Sequence, residues 1–543
     1  MSFPLRWSLL LPIALASLPA SGRAGPIGDA WVAGWRADLA FAADSLPRAH
    51  PDFFHSVSPA AYRAALDSLA ARLPGLEHHE IAVELARIMA LVGDGHTRLT
   101  LPFDRGAGFF AGHASTAAPK IPGLVFRHYP VRFELFADTL WVVQADSTHR
   151  NLLGGRVVRL GERAVADARV AVQPVVHRDN DNQLRSILPA WLVCPEILHA
   201  RGVVADMERA PIVVERGNGN RVAAVLSPVA PGVAVGWLEA RDAGPPPLRD
   251  RFPGRSHWFM RIPGTRTFYA RYLEVRDDEK QSVSQFADSL FAAMEAARAD
   301  RLVLDVRGNL GGNGFLNRPL VQHVIRAERL WQPAGLWALV DRGTFSAAVM
   351  LAADLESWTP TLFVGEKTGG HPNSYGDSRR ILLPNSGLTV RVSSLYWQLT
   401  GPKDDRDGIT PHIPVEMRFD DWCANRDPAL ETALATAGRA DSFAGSWSGE
   451  IGWRFARVPL RLECQPEGKG WAGRIDLPDA GLEDAPLAGA RVSTDVLTAR
   501  WSSSGGEQWM LRARLAGEHL VGLVRYKGAD FPVVLERAPP AKP

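Results

Sequence analysis

The sequence of 543 residues is poor in lysine and in cysteine. Only seven of its 61 basic residues are lysine, so a mechanism that needs a catalytic lysine has few candidates. The three cysteines, Cys194, Cys423 and Cys464, form no CxxC pair, which excludes a disulfide-rich scaffold and argues against a cysteine-based zinc site. No HExxH motif occurs either. We therefore expect no metal and no other cofactor.

A strong net charge is also missing. The 61 basic residues face 59 acidic ones, which leaves a formal charge of +2 and no overall field that would attract nucleic acid. Hydrophobic residues make up 46% of the chain and charged residues 22%, as in packed globular proteins. The composition therefore predicts a folded protein without a nucleic-acid partner. It gives no indication of the oligomeric state.

Long apolar runs are absent apart from one near the N-terminus. Residues 7–18 are apolar, Arg6 precedes them, and small residues follow as far as Ala24. This pattern predicts a cleaved signal peptide over residues 1–24, and hence a periplasmic or secreted protein. The run is too short for an ordinary membrane span. An uncleaved anchor is the alternative, and we expect no membrane span in the mature chain.

Four regions with different sequence patterns follow the predicted signal. Apolar residues three or four apart, such as Trp31, Trp35 and Leu39, predict a helical domain over residues 25–112. Short β-branched runs predict a β-rich domain over 113–243. Alternating strands and helices predict an α/β core with a mostly parallel sheet over 244–438. Tryptophan-rich runs separated by glycine predict an all-β barrel or sandwich over 439–543.

Ser346 is the first candidate for chemistry. It follows the predicted strand Leu336–Val340 and lies in the first turn of a helix predicted over residues 345–356. A hydroxyl at such a turn can act as a nucleophile, because the free amides of a helix start can stabilise an oxyanion. The alternative is that Ser346 only caps the helix.

A glycine-rich loop is the second candidate. A strand predicted over residues 302–306 opens into Gly308, Gly311 and Gly312, where backbone amides can approach a ligand without an intervening Cβ. No Gly-Lys-Ser/Thr follows, so this is not a Walker loop. The alternative is a tight turn without a ligand.

The third candidate is His96, in the sequence DGHT at 94–97 at the end of a predicted helix. Histidine is the usual general base because its ordinary pKa lies near neutrality. The chain has 15 histidines, so a purely structural role is the alternative.

In combination, these segments resemble the tail-specific (C-terminal processing) peptidase superfamily, including its tricorn-core-like branch. The resemblance covers roughly residues 30–435 and depends on the order of seven short segments. They are HPDFF at 50–54, DGHT at 94–97, GRVV at 155–158, LDVRGNLGG at 304–312, TFSA at 344–347, VGEKTGG at 364–370 and GITPHI at 408–413.

The resemblance implies a serine endopeptidase that cleaves peptides or unfolded proteins. It implies a crotonase/ClpP-like protease core, an N-terminal helical domain and a PDZ-like β segment. Ser346 would be the nucleophile, and the amide of Ala347 with that of Gly311 or Gly312 would form the oxyanion hole. Residues 152–158, LLGGRVV, would then form a groove whose open amides bind a substrate C-terminus.

The general base is the part in which this chain departs from many members. They use a serine–lysine dyad in which the lysine follows a threonine. Here His371 stands at the matching position, and Lys367 precedes Thr368 instead of following it. We therefore predict His96 as the base, as in the tricorn-like branch, although Gly95 replaces the serine that precedes the histidine there. The acidic stretch at 404–407 supplies the predicted orienting acid, Asp405. Pro411-His412 replaces the usual Pro-Asp.

Two other functions are compatible with parts of this pattern. A catalytically weak relative could bind peptides or another ligand on the same fold, because the lysine and the relay serine are missing. A crotonase-type acyl-CoA enzyme would also use paired backbone donors, but the predicted export signal argues against a substrate that is found in the cytosol.

The assignment of the base gives a first prediction. His96→Ala should lower peptide turnover by roughly 10²–10⁴-fold, the usual contribution of a general base, whereas Lys367→Ala and His371→Ala should have mild effects. Steady-state hydrolysis of a quenched fluorescent peptide by the three variants measures this. Loss of activity in Lys367→Ala with near-normal His96→Ala would instead identify a lysine base.

Overall fold

The computed structural model describes residues 27–104, 119–435, 443–453, 456–493, 495–503 and 505–538. The predicted signal peptide lies outside these residues, as do the predicted boundaries at residue 112 and residues 438–439. No helix within the described ranges is long and apolar enough to cross a bilayer.

The N-terminal region contains three helices and a short strand. They are α1 (Asp29–Ser45), α2 (Pro59–Arg72), α3 (His78–Ala90) and β1 (Arg98–Thr100). The side chain of Ser58 caps α2, and a capping box between Glu77 and Glu80 begins α3. Buried apolar residues on α3 recur at helical spacing, so this helix packs its apolar face inward.

The second region is mainly a sheet with three helices. Its elements are β2 (Val131–Phe136), β3 (Thr139–Ala145), β4 (Arg156–Leu160), β5 (Arg163–Ala164), α4 (Val165–Val172), α5 (Asp181–Trp191), α6 (Pro195–Ala200), β6 (Ala210–Glu215), β7 (Arg221–Leu226) and β8 (Leu238–Glu239). The main strand order is β2-β3-β4-β6-β7. One hydrophobic core joins this region to the N-terminal helices, for example through Leu85, Phe126 and Trp191.

The structure contradicts one expectation for this region. The amides of Gly154 and Gly155, predicted to be open for a substrate C-terminus, donate to Val142 O at 2.9 Å and Leu152 O at 3.1 Å. Strand β4 also lies between β3 and β6, not at a sheet edge where a peptide strand could be added. The predicted carboxylate-binding groove at residues 152–158 is therefore wrong, because these backbone amides already donate hydrogen bonds to carbonyl groups of the same chain.

The third region contains a six-stranded sheet with its crossover helices on one face and one short helix on the other. Its elements are β9 (His257–Arg261), β10 (Thr267–Tyr272), α7 (Val283–Ala296), β11 (Arg301–Asp305), α8 (Arg318–Arg326), β12 (Leu336–Val340), α9 (Ala347–Trp358), β13 (Leu362–Gly365), β14 (Asn373–Gly376), β15 (Arg379–Leu382), β16 (Thr389–Val392), β17 (Leu395–Gln398), β18 (Ile413–Pro414), α10 (Phe419–Cys423) and α11 (Pro428–Leu434).

The order of the large sheet is β18-β13-β12-β11-β10-β9, and only β9 is antiparallel to its neighbour. Along β11, Leu302 and Leu304 face the core formed with α7, α8 and α9, whereas Val303 faces a second core on the opposite side. A sheet that is buried on both faces explains why these strands are almost entirely apolar. The mixed α/β prediction for the core agrees with this arrangement.

The C-terminal region is a nine-stranded antiparallel sheet. Its strands are β19 (Gly445–Trp453), β20 (Ala456–Glu467), β21 (Gly470–Leu477), β22 (Leu482–Pro486), β23 (Ala488–Ser493), β24 (Val496–Ser502), β25 (Gln508–Ala516), β26 (His519–Tyr526) and β27 (Ala529–Arg537). One face encloses a core with Trp447, Trp501 and Trp509. Val521 and Val534 on the other face pack with Trp337 of the large sheet. The all-β region thus covers the sheet face that has no crossover helices.

Candidate active site

Ser346 and His96, 250 residues apart in the chain, meet at one site. His96 Nε2 lies 3.0 Å from Ser346 Oγ, within the range that a base and its nucleophile require. The imidazole stacks on the ring of Phe345 with 4.5 Å between the centroids, which restricts its orientation. In this geometry Nε2 can accept the hydroxyl proton of Ser346 as an incoming carbonyl carbon is attacked.

Ser346 adopts an unusual backbone conformation, with φ 54° and ψ −127°. A non-glycine residue in this region costs on the order of 1–3 kcal/mol, and such strain is concentrated at functional sites. Ser346 occupies the position before α9, but its side chain makes no capping hydrogen bond. The structure therefore contradicts the alternative that Ser346 only caps the helix.

Asp94 fixes the backbone around His96. Its Oδ1 accepts hydrogen bonds from the amides of His96 (2.8 Å) and Thr97 (2.6 Å) and from the hydroxyl of Ser393 (2.9 Å). Its Oδ2 lies 3.0 Å from His50 Nε2. The amide of Asp52 donates to His50 Nδ1, which places the His50 proton on Nε2, facing Asp94.

Burial alone would raise the pKa of Asp94. Hydrogen bonds from His50 and Thr97 outweigh that effect and lower the pKa to about 2. Asp94 is therefore an anion at any pH at which the protein would be assayed, and its charge acts on the neighbouring imidazole.

The pKa of His96 is lowered from its ordinary value, mainly because the ring is buried. Asp179 and then Asp94 oppose this effect through their negative charges. His96 Nδ1 is buried and has no hydrogen-bond partner among the residues that the structure describes. A neutral imidazole at neutral pH is the protonation state that a general base needs.

The predicted orienting acid, Asp405, is not at this site. Asp405 is exposed in a loop, and its neighbours Asp404 and Asp407 form ion pairs with Arg406 and Lys367. The prediction of Asp405 is therefore wrong, because this acidic stretch pairs with local basic residues. The acid that sequence reasoning missed is Asp179.

Asp179 comes from the segment that precedes α5. Its Oδ1 accepts the amide of Gly95 at 2.6 Å, next to His96, and its Oδ2 lies 3.5 Å from the amide nitrogen of His371. The following residue, Asn180, caps α5 and donates to Thr368 O at 3.0 Å, which anchors this segment to the core. Burial raises the pKa of Asp179, and a positive charge on His96 lowers it.

The glycine-rich loop lies directly beside Ser346. Buried Asn309 connects the two segments, because its backbone oxygen accepts the amide of Phe345 at 2.9 Å and its Oδ1 accepts the amide of Gly311 at 2.8 Å. The amide of Gly311 is thus engaged within the loop. We did not predict this role of Asn309 from the sequence.

The backbone amides of Gly312 and Ala347, in contrast, have no hydrogen-bond acceptor among the described residues. Neither donates a hydrogen bond to any described residue outside the helix ladder. The amide of Val275 donates to Gly311 O, and Val275 O accepts the amide of Asn313. The amide of Gly312, between these two residues, therefore points away from Val275. Gly312 lines a cavity of about 350 Å³ together with Ser346 and His96. Of the predicted oxyanion donors, Gly312 and Ala347 are therefore the two that can serve.

Neither His371 nor Lys367 hydrogen-bonds to Ser346 in the part of the chain that the structure describes, whereas His96 does. Lys367 Nζ pairs with Asp407 at 2.8 Å, and the backbone of His371 faces Asp179. His412, at the position of the usual aspartate, instead accepts the amide of Phe363 through Nδ1. No cluster of three or more potential metal ligands occurs in the part of the chain that the structure describes.

No family model matches the chain, and no curated protein matches it by sequence. Solved structures do match it. Mature CPAF is 13% identical with a TM-score of 0.50, and the match covers 73% of this chain and 94% of that one. The photosystem II D1 C-terminal processing protease is 15% identical with a TM-score of 0.35, covering 72% and 99%. A putative S41 protease from Bacteroides fragilis is 12% identical with a TM-score of 0.29, covering 77% and 93%.

The likeness to CPAF shows a shared overall fold, and the other two likenesses are weaker. Only the overall fold is shown by the likeness to CPAF, and the superfamily that the seven segments resemble stays a prediction. The crotonase/ClpP-like core and the PDZ-like segment stay predictions.

The contacts of the glycine loop give a second prediction. A Cβ on Gly311 (φ +97°) would lie 2.6 Å from Ser346 Cβ and 2.8 Å from the Ala347 amide nitrogen. Gly311→Ala should therefore lower kcat/KM at least 10²-fold, comparable to the loss of an oxyanion donor. Gly308→Ala is the matched control, because Gly308 also has positive φ (+67°) but its Cβ would meet nothing nearer than 4.0 Å. Equal losses of activity in both variants would contradict this geometry.

Proposed function

We propose that this protein is a serine peptidase that hydrolyses peptides or unfolded proteins. The observation that carries the proposal is the 3.0 Å contact between His96 Nε2 and Ser346 Oγ beside two backbone amides without an acceptor in the described chain. The shared fold with CPAF is in line with it. Export through residues 1–24 stays a prediction from the sequence.

In the proposed reaction, Ser346 Oγ attacks the carbonyl carbon of the scissile peptide bond while His96 Nε2 takes the hydroxyl proton. The carbonyl oxygen gains negative charge and is held by the amides of Gly312 and Ala347. His96 then gives its proton to the leaving amine, so an acyl-enzyme remains on Ser346. Water hydrolyses this ester with His96 again as base, and the free enzyme is restored.

Asp179 has the role of a positioning residue in this proposal. It is the acid whose charge does most to raise the pKa of His96, and it holds the Gly95 amide that precedes the base. When His96 takes up the proton, the nearby carboxylate stabilises the imidazolium that forms.

Substitution of the nucleophile tests the proposal directly. Ser346→Ala should abolish hydrolysis of a quenched fluorescent peptide while the melting temperature stays within a few degrees, because no capping bond is lost. Persistent cleavage by the purified variant would show that Ser346 is not the nucleophile. A wild-type protein that binds peptides but cleaves none would instead favour the binding relative on the same fold.

The pH dependence tests the role of Asp179. The base must be neutral, so kcat/KM should rise with pH and reach half its maximum below 6.5, since burial lowers the pKa of His96. Asp179→Asn removes a charge that raises this pKa, so the midpoint should move to lower pH, and the plateau should fall. A purely structural role would lower the plateau and leave the midpoint in place, which would contradict the assignment.

A further inference from the structure

Three arginines stand side by side across a small sheet next to the candidate active site. Strands β1, β16 and β15 form this antiparallel sheet, and their register places Arg98 opposite Arg391 and Arg391 opposite Arg380. Like charges directly opposite each other on neighbouring strands destabilise a sheet. The row therefore has an energetic cost that the fold itself does not require.

The chain does little to neutralise the charges of Arg98 and Arg391. Arg98 Nη1 donates to Gly95 O at 3.0 Å, but its Nε is buried without a partner. Neither Arg98 nor Arg391 forms an ion pair with a described residue. Burial and then the charge of Arg391 lower the pKa of Arg98 to about 10, despite the opposing effect of Asp94. Asp94 already accepts four hydrogen bonds from other residues.

Both arginines open onto the reacting groups. A cavity of about 130 Å³ is lined by Arg98 and Arg391 together with Ser346 and His96. Arg342 also lines it, but this residue is paired with Glu134. A second, larger cavity, also lined by Ser346 and His96, is partly apolar and aromatic, with Phe315, Met350 and Trp397. The cleft thus has an apolar side and a cationic side that meet at the nucleophile.

We propose that Arg98 and Arg391 bind a carboxylate of the substrate close to the bond that Ser346 attacks. Guanidinium groups match carboxylates in charge and geometry, and two converging arginines with few internal partners gain most from such a ligand. The carboxylate is either an acidic side chain of the substrate or the substrate's own free C-terminus. This inference rests on the proposed peptidase function and specifies its substrate class.

Binding and hydrolysis are measured separately to test it. Binding is measured with the Ser346→Ala variant and fluorescent peptides that are amidated at the C-terminus. Each peptide has one phenylalanine in an alanine background. It carries Glu, Gln or Lys at one of the three positions on either side of that phenylalanine. A second set ends one to three residues beyond the phenylalanine as the free acid or the amide. We expect at least one Glu or free-acid peptide to bind about tenfold or more tightly than its neutral counterpart.

Substitution of Arg391 should remove this preference, and Arg391 is chosen because Arg98 also supports the Gly95 backbone. Added to Ser346→Ala, Arg391→Gln should equalise the Glu and Gln peptides, and Arg391→Glu should favour Lys. The melting temperature of Arg391→Gln should not fall, because repulsion within the row is relieved. Arg379→Gln is the matched control, since it removes the same charge from the opposite face of β15 and should retain the preference.

The two sources of the carboxylate give different patterns, and both support the inference. A Glu preference in amidated peptides identifies a side chain, whereas a preference for free acid over amide identifies a C-terminus. Equal dissociation constants for all charge variants, or a preference that survives Arg391→Gln, would overturn it. If the protein that retains Ser346 hydrolyses peptides without any such preference, the carboxylate site is contradicted and the peptidase proposal stands. A preference in binding without any hydrolysis would support the carboxylate site and contradict the peptidase proposal.

Discussion

Four hydrogen bonds converge on the carboxylate of Asp94, and they hold His96 in place beside Ser346. Two come from the backbone of the His96 loop, one from His50 in the helical region, and one from Ser393 after β16. Because hydrogen bonds to a buried anion are strong, each partner restricts the same loop from a different part of the chain. The position of His96 Nε2 opposite Ser346 depends on this convergence.

The other half of the site depends on backbone conformations that few residues can adopt. Gly311 and Gly312 have φ values of +97° and +143°, and a Cβ on Gly312 would lie 2.1 Å from Val275 O. Asn309 joins this loop to the segment before Ser346, whose own conformation is strained. The large, mostly parallel sheet supplies both segments from the ends of β11 and β12, so a rigid scaffold holds Ser346 and the amides of Gly312 and Ala347 at a fixed separation.

The meeting of Ser346 and His96 could be predicted because the order of seven short segments resembles a known superfamily, and the α/β core could be predicted because strands and helices alternate along the chain. Features that depend on tertiary contacts could not be predicted in this way. Asp179 reaches the His96 loop from 84 residues away, and nothing in its own sequence context distinguishes it from exposed Asp405. The amides of Gly154 and Gly311 looked available in sequence, yet Val142 and Asn309 occupy them. The arginine row exists only through the strand register.

Covalent labelling tests the central claim that Ser346 is a nucleophile activated by His96. The full-length protein would be treated with a fluorophosphonate, digested and analysed by mass spectrometry. The account predicts one adduct, on Ser346, which is lost on heat denaturation before labelling and strongly slowed in His96→Ala but not in His371→Ala. No adduct on the folded protein, or equally fast labelling of Ser346 in His96→Ala, would contradict it.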